Sequence, residues 1–253
     1  MQELHESQVG SGAQAVSPSG ASALLGSGAV IVWNDVAPEG RDQFYDWHDK
    51  EHIPERLAIA GFRRGRRYVK RGHSPEWLTL YEATDLSVLV SPEYLERLDS
   101  PTPLTASTLK HFRNTSRAVC RVVATVGSSS GGCALALRLA VPGERTQDFC
   151  ELLNERVFPR AMSSTGVVAC HLYAADANAS YKETAEARTR EFDVPAWVVL
   201  VEATRPDAAE RAHELIAMSD LDRMGVVIRT DGAVYSLEIC RLARGHDTHH
   251  IKS

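Results

Sequence analysis

The chain has 253 residues, 43% hydrophobic and 24% charged, the make-up of an ordinary globular protein of one or two domains. No stretch approaches the ~20 consecutive apolar residues of a membrane helix. A formal charge of −5, from interspersed acids and bases, offers no basic field for nucleic acid. Disordered, collagen-like and helix-spanning classes are thereby excluded, and neither nucleic acid nor membrane is expected as a partner. Cys120, Cys133, Cys150, Cys170 and Cys240 are odd in number and contain no C-x-x-C pair. They read as reduced thiols, mostly buried, which places the protein in the cytoplasm.

Residues 1–28 hold a Gly-, Ser- and Ala-rich run and lack the basic start and apolar core of a secretory signal, so they read as a flexible leader. Alternating or β-rich segments follow at 29–36, 64–70, 77–83 and 118–126, with amphipathic helical patterns inside the first and last pairs. The order β-α-β-β-α-β then returns, with strands at 134–141, 169–173, 197–203 and 233–242. Phe44, Pro54, Gly61 and Tyr68 recur 105 positions later as Phe149, Pro159, Gly166 and Tyr173. Past the second strand the offset becomes 120: Trp77 and Glu82 recur as Trp197 and Glu202, and Cys120-Arg121 recurs as Cys240-Arg241. An insertion of 15 residues within the polar segment 178–193 accounts for the change.

The expected fold is therefore α+β, two tandem ferredoxin-like repeats whose sheets pack face to face into a pseudo-dimeric α/β barrel. The first repeat spans 29–127 and carries the candidate site, the second, degenerate repeat spans 131–243, and 244–253 is a flexible tail. The tail's His246, His249 and His250 read as a solvated end. Along the third strand Trp77, Thr79 and Tyr81 share one face, and Leu78, Leu80 and Glu82 the other. Repetition of Glu82 at Glu202 points to the scaffold rather than to catalysis.

In a duplicated chain the scaffold repeats and a single site need not. The first helix shows that contrast: Phe44, Trp47, His48, Glu51 and His52 occupy one side, where the second copy has Phe149, Leu152, Leu153 and Val157. Two imidazoles thus take core positions between helix and sheet, which costs free energy unless they are hydrogen-bonded or used. Three readings stand. The imidazoles are satisfied structural groups with Glu51 as partner, or they form a general acid–base pair in an apolar pocket. The third is a metal site, since His48-Asp49-Lys50-Glu51-His52 matches the H-x-x-E-H pattern of inverted zinc peptidases, although no second carboxylate helix completes it.

The run from Phe44 to Pro54, followed by Gly61-Phe62-Arg63-Arg64 and Tyr68, resembles the EthD-like branch of the dimeric α/β-barrel superfamily. Phe44, His52 and Pro54 fall at that family's spacing. The resemblance implies cofactor-free monooxygenases and cyclases on polyketide-like aromatics, isomerases and lyases, or haem-binding enzymes, and it implies His52 as the catalytic or substrate-orienting histidine.

Candidate substrate contacts are Trp47, Trp77 and Tyr81 in the pocket, Arg66 and Tyr68 on the second strand, and His111 and Asn114 before the last strand. Tyr68 recurs at Tyr173, which also fits a scaffold role, and His111 also fits a helix C-terminus. No G-x-G-x-x-G, P-loop or nucleophile elbow is present. The expectation is a cofactor-independent enzyme acting on a small apolar or aromatic substrate, of lyase, isomerase or oxygenase type. His52 carries the proton, with His48 or Glu51 tuning it. A metal- or haem-dependent enzyme at His48 and His52 and a non-catalytic binding protein remain as alternatives, and self-association of whole barrels is left open.

Overall fold

The computed structural model describes residues 22–189, 192–229 and 231–244. The first half comprises β1 (Gly28–Val36), α1 (Arg41–Trp47), α2 (Ile53–Ala58), β2 (Phe62–Val69), β3 (Trp77–Ala83), α3 (Pro92–Asp99), α4 (Pro103–Leu109) and β4 (Phe112–Gly127). The second comprises β5 (Cys133–Ala140), α5 (Thr146–Leu152), α6 (Phe158–Met162), β6 (Val167–Ala175), α7 (Ala177–Ser180), β7 (Trp197–Ala203), α8 (Pro206–Ala217), β8 (Val227–Ile228) and β9 (Ala233–Leu242).

The strands pair antiparallel in the order β7-β6-β4-β1-β3-β2-β9-β5, and β5 pairs back to β7, so the sheet closes into a barrel with β8 attached to β5. The expected face-to-face packing of two sheets needs amending. The halves also join edge to edge through β4 with β6 and β2 with β9. Each edge strand carries unpaired N–H and C=O groups, and this junction satisfies both sets.

Alternation along the strands divides the apolar residues into layers. Ile31, Trp33, Tyr68, Leu78, Leu80, Tyr173, Leu200 and Tyr235 fill the barrel interior. Val30, Ile53, Phe62, Tyr81 and Tyr94 pack under the helices of the first half, and Leu135, Phe149, Leu153, Val199 and Ile216 under those of the second.

The interior also holds charge. Arg66 donates to Glu82 at 2.9 Å and to Glu202 at 2.8 Å, and Arg64 makes a two-pronged contact with Glu82. Glu202 further accepts from the Gly131 N–H at 2.9 Å and lies 3.3 Å from His171 Nε2. Burial alone would raise the Glu202 carboxyl, but its hydrogen bond with His171 and the charge of Arg66 outweigh burial and hold it at about 2.

Register tests the internal match. Gly28 faces Ala83 in the first half and Cys133 faces Ala203 in the second, so both sequence offsets hold through β7. On the last strand Gly28 faces Arg121, whereas Cys133 faces Ser236. Cys120-Arg121 therefore corresponds to Tyr235-Ser236, and the match to Cys240-Arg241 is a chance dipeptide out of register.

The first helix of each half widens into a π-turn, at His48–His52 and at Leu153–Val157. Pro54 and Pro159 follow these turns. A proline ring clashes with the carbonyl four residues earlier, and a wider turn relieves that clash. Each helix ends before a glycine in the left-handed region, Gly61 at φ 95° and Gly166 at φ 96°. A Cβ on Gly61 would stand 2.4 Å from Val88 Cγ2. Gly61→Ala is therefore expected to lower stability by about 1–3 kcal/mol, read as a shift in the urea midpoint, and an unchanged midpoint would contradict the strain assigned to this turn.

Of the leader expected over residues 1–28, residues 23–25 are held against the barrel. Leu24 is buried, Leu25 N–H donates to Glu82, and Arg64 donates to the Ala23 carbonyl. Residues before 22 and after 244, with His246, His249 and His250, lie outside the described residues. No described helix is long and apolar enough to cross a membrane.

Candidate active site

Between α1–α2 and the outer face of β1, β3 and β4 lies a cavity of about 50 Å³. That is room for a few waters or about one ring of a ligand. Its apolar wall includes Val30, Phe44, Trp47, Phe62, Leu109 and Phe112, and its polar wall Asn34, His48, His52, Arg56, Thr79, Tyr81, Arg117 and Glu186.

Apart from Glu186, the polar wall belongs to the first half. At the matching register positions Asn34, His48, His52, Arg56, Thr79 and Tyr81 are replaced by Leu139, Leu153, Val157, Ala161, Val199 and Val201. Leu139, Leu153, Val157, Ala161, Val199 and Val201 all join the apolar layer of the second half. One scaffold was thus filled with hydrocarbon in one half and with hydrogen-bonding groups in the other.

The π-turn sets the two imidazoles. Their ring centroids lie 5.7 Å apart with planes 24° from parallel, so they stack rather than converge on a point. His48 is 3% exposed, with Nδ1 2.9 Å from Arg67 Nη1 and Nε2 3.2 Å from Tyr81 Oη. Burial first, and the Arg67 charge second, hold its imidazole well below its usual range. His48 is therefore neutral at physiological pH, with both nitrogens engaged.

This neutrality carries a stability signature. The unfolded imidazole titrates near 6.5 and the folded one below it, so the contribution is complete above pH 6.5 and is lost as pH falls beneath it. His48→Leu, the residue of the second half, is expected to flatten the stability profile below pH 6.5 by up to ~1.4 kcal/mol per pH unit relative to the parent. Parallel profiles from denaturant melts at pH 7 and 5 would contradict the buried neutral ring.

His52 stands at the partly exposed side of the same turn, 4.3 Å from the Trp47 ring and 6.1 Å from Tyr81 between centroids. Trp47 Nε1 donates to Thr105 at 2.8 Å, and Thr105 donates in turn to Glu51 at 3.2 Å, with Thr102 on the same carboxylate. Glu51 thus fixes α4 against the first helix and is absent from the cavity wall. Its expected pairing with the imidazoles is not what the structure places there.

The other expected contacts lie apart from the cavity. Arg66 and Tyr68 point into the barrel interior, because they sit at even register from Arg64 on β2. Trp77 packs behind Phe44 and under Arg41. His111 fills the space over Gly40 beside Glu39, and Asn114, at φ 49° in the β-bulge where β4 pairs with β1, donates to Asp35. Trp47 and Tyr81 do line the cavity.

Sequence reasoning missed Asn34, Arg56, Thr79, Arg117 and Glu186. Asn34, Arg56 and Thr79 were legible, since each polar residue has an apolar counterpart in the second half. Glu186 was not, for it lies on the inserted segment, which crosses from the second half to cover the cavity of the first. Ser180 Oγ accepts from the Val119 N–H, Ala179 joins the apolar layer of the first half, and Glu186 pairs with Arg56 beneath Tyr94. A second, smaller cavity under this segment shares Tyr94, Leu98, Arg117 and Glu186 with the first.

Neither metal nor haem suits these donors. Among the described residues no group of three or more His, Cys, Asp or Glu is placed to hold a metal ion, and the stacked imidazoles of the H-x-x-E-H run do not share an apex. A cavity of about 50 Å³ is too small for a macrocycle, and His171, the imidazole of the second half, is enclosed by Thr125 and Glu202.

No protein-family model matches the chain, and no curated protein matches it. Solved structures do match in fold. An anthrone oxidase-like protein is 13% identical at TM-score 0.53, covering 88% of this chain and 95% of its own. The chlorite dismutase of Candidatus Nitrospira defluvii, in complex with imidazole, is 11% identical at TM-score 0.52, covering 84% and 91%. A Fusobacterium nucleatum protein provisionally named a monooxygenase is 9% identical at TM-score 0.51, covering 87% and 95%. These neighbours are dimeric α/β barrels, and at such identities the likeness concerns the fold.

Proposed function

We propose, from a chain that has the dimeric α/β-barrel fold, that its first half is an enzyme site for acid–base chemistry on a small, mostly apolar substrate. The observation that carries this reading is the one-sided polar wall: imidazole, phenol and guanidinium groups stand where the second half has only hydrocarbon. Buried polar groups that merely satisfied one another would destabilise the fold relative to the apolar solution the chain already possesses.

In this mechanism an activated C–H of the substrate gives its proton to the His52 imidazole, and the electron pair moves into the adjacent carbonyl, making an enolate. Trp47 and Phe112 hold the ring, and the aromatic wall excludes water around the developing charge. The same proton transfer opens lyase, isomerase or cofactor-free oxygenase outcomes, and the likeness to an anthrone oxidase-like structure favours the last. The EthD-like sequence pattern, an origin in tandem ferredoxin-like repeats, and a cytoplasmic location with free cysteines complete the reading.

Acetophenone, a single-ring enolisable ketone, tests this in D2O. The protein is expected to speed exchange of its methyl protons over buffer, with oxygen uptake reporting any oxygenation; exchange at the buffer rate would overturn the reading.

A further inference from the structure

The tautomer of His48 follows from its neighbours. A guanidinium has only donors, so the 2.9 Å contact with Arg67 Nη1 makes His48 Nδ1 the acceptor. A neutral ring then carries its one proton on Nε2, which donates to Tyr81 Oη across 3.2 Å. The phenol proton is left unused by this bond. His48 is the only hydrogen-bond partner of Tyr81 Oη among the described residues, and Tyr81 lines the cavity. Burial raises the Tyr81 phenol, so it stays protonated and acts as a donor.

A second donor stands on the same cavity. Arg56 is 2% exposed; its Nη2 is bonded to Glu186, while Nη1, 3.9 Å from Glu55 Oε2, is buried without a hydrogen-bond partner among the described residues. An unmet buried donor costs free energy that a ligand acceptor recovers.

We infer that the cavity binds a ring-sized ligand through a carbonyl, enolate or phenolate oxygen, which accepts hydrogen bonds from the Tyr81 hydroxyl and Arg56 Nη1. His48 and Arg67 are positioning residues: the fixed Nε2–H tautomer occupies the phenol lone pair and turns the phenol proton toward the ligand. A bond accepted by a hydroxyl also strengthens the one it donates. This deepens the proposed function, since it names the group recognised at that site, yet it requires no proton transfer to carbon.

Two measurements test it. In the imidazole nitrogen-15 spectrum of the protein alone, His48 is expected to carry its proton on Nε2, and Arg67→Met is expected to shift it toward Nδ1. A parent protein protonated on Nδ1 overturns the inference. Acetophenone and α-methylstyrene have the same shape and differ by C=O against C=CH2. The parent is expected to bind the ketone about tenfold more tightly. Tyr81→Phe is expected to lose most of that preference, with α-methylstyrene binding and circular dichroism unchanged. Equal or undetectable binding of the two probes by the parent, or a preference that survives Tyr81→Phe, overturns the inference. Ketone preference without exchange of the acetophenone methyl protons would instead overturn the acid–base reading and leave the donor assignment standing.

Discussion

Arg66→Met is expected to destabilise the folded chain by about 3–5 kcal/mol, the range for breaking a buried ion pair from one side. Arg66 is 1% exposed and bridges Glu82 from the first half to Glu202 from the second. Its removal leaves two carboxylates in the barrel interior short of a cation. Arg64 remains for Glu82, and Glu202 keeps the Gly131 N–H and His171. The double variant Arg66→Met/Glu202→Leu should therefore recover part of the loss, because removing a buried pair costs less than orphaning one member.

The pH dependence follows from Glu202. Its folded value of about 2 lies below the ordinary 4.5, so its contribution is complete above pH 4.5 and disappears as pH falls toward 2. In Arg66→Met the folded value moves toward 4.5, so that decline should be smaller and end at higher pH. Urea midpoints at pH 7 and pH 4 measure both effects, and a loss under ~1 kcal/mol at pH 7 would contradict the bridging role.

His52→Ala is expected to lower turnover of an enolisable substrate by about 10²–10⁴-fold, the usual worth of a positioned general base. Its urea midpoint should move little, because the ring lies at the partly exposed side of the cavity while Trp47, Phe44 and Ile53 hold the helix to the sheet. Added imidazole should restore part of the rate by entering the space left. Loss of stability matching the loss of rate, with no rescue, would make His52 a structural residue.

Much of this architecture was written in the sequence as periodicity. Strand order, helix order and the offset between halves follow from alternating and 3.6-residue patterns, and Trp77 to Glu82 faces in the expected directions. The edge-to-edge closure was not legible, because hydrogen bonding between edge strands is a backbone event with no side-chain signature. The cavity histidines stood out since imidazole had displaced leucine and valine. Arg66 misled because a charged residue unique to one half reads as functional, while here it neutralises the repeated Glu82 and Glu202. Glu186 reaches the site only through an insertion whose path no local pattern encodes.

The central claim, that ligand chemistry belongs to the helix–sheet cavity of the first half, is tested most directly by titrating acetophenone into protein labelled with nitrogen-15 at its histidines. The account expects the His48 and His52 resonances to shift together while His171, enclosed in the barrel interior, stays fixed. Saturable binding that moves His171, or that leaves His48 and His52 unmoved, would contradict it.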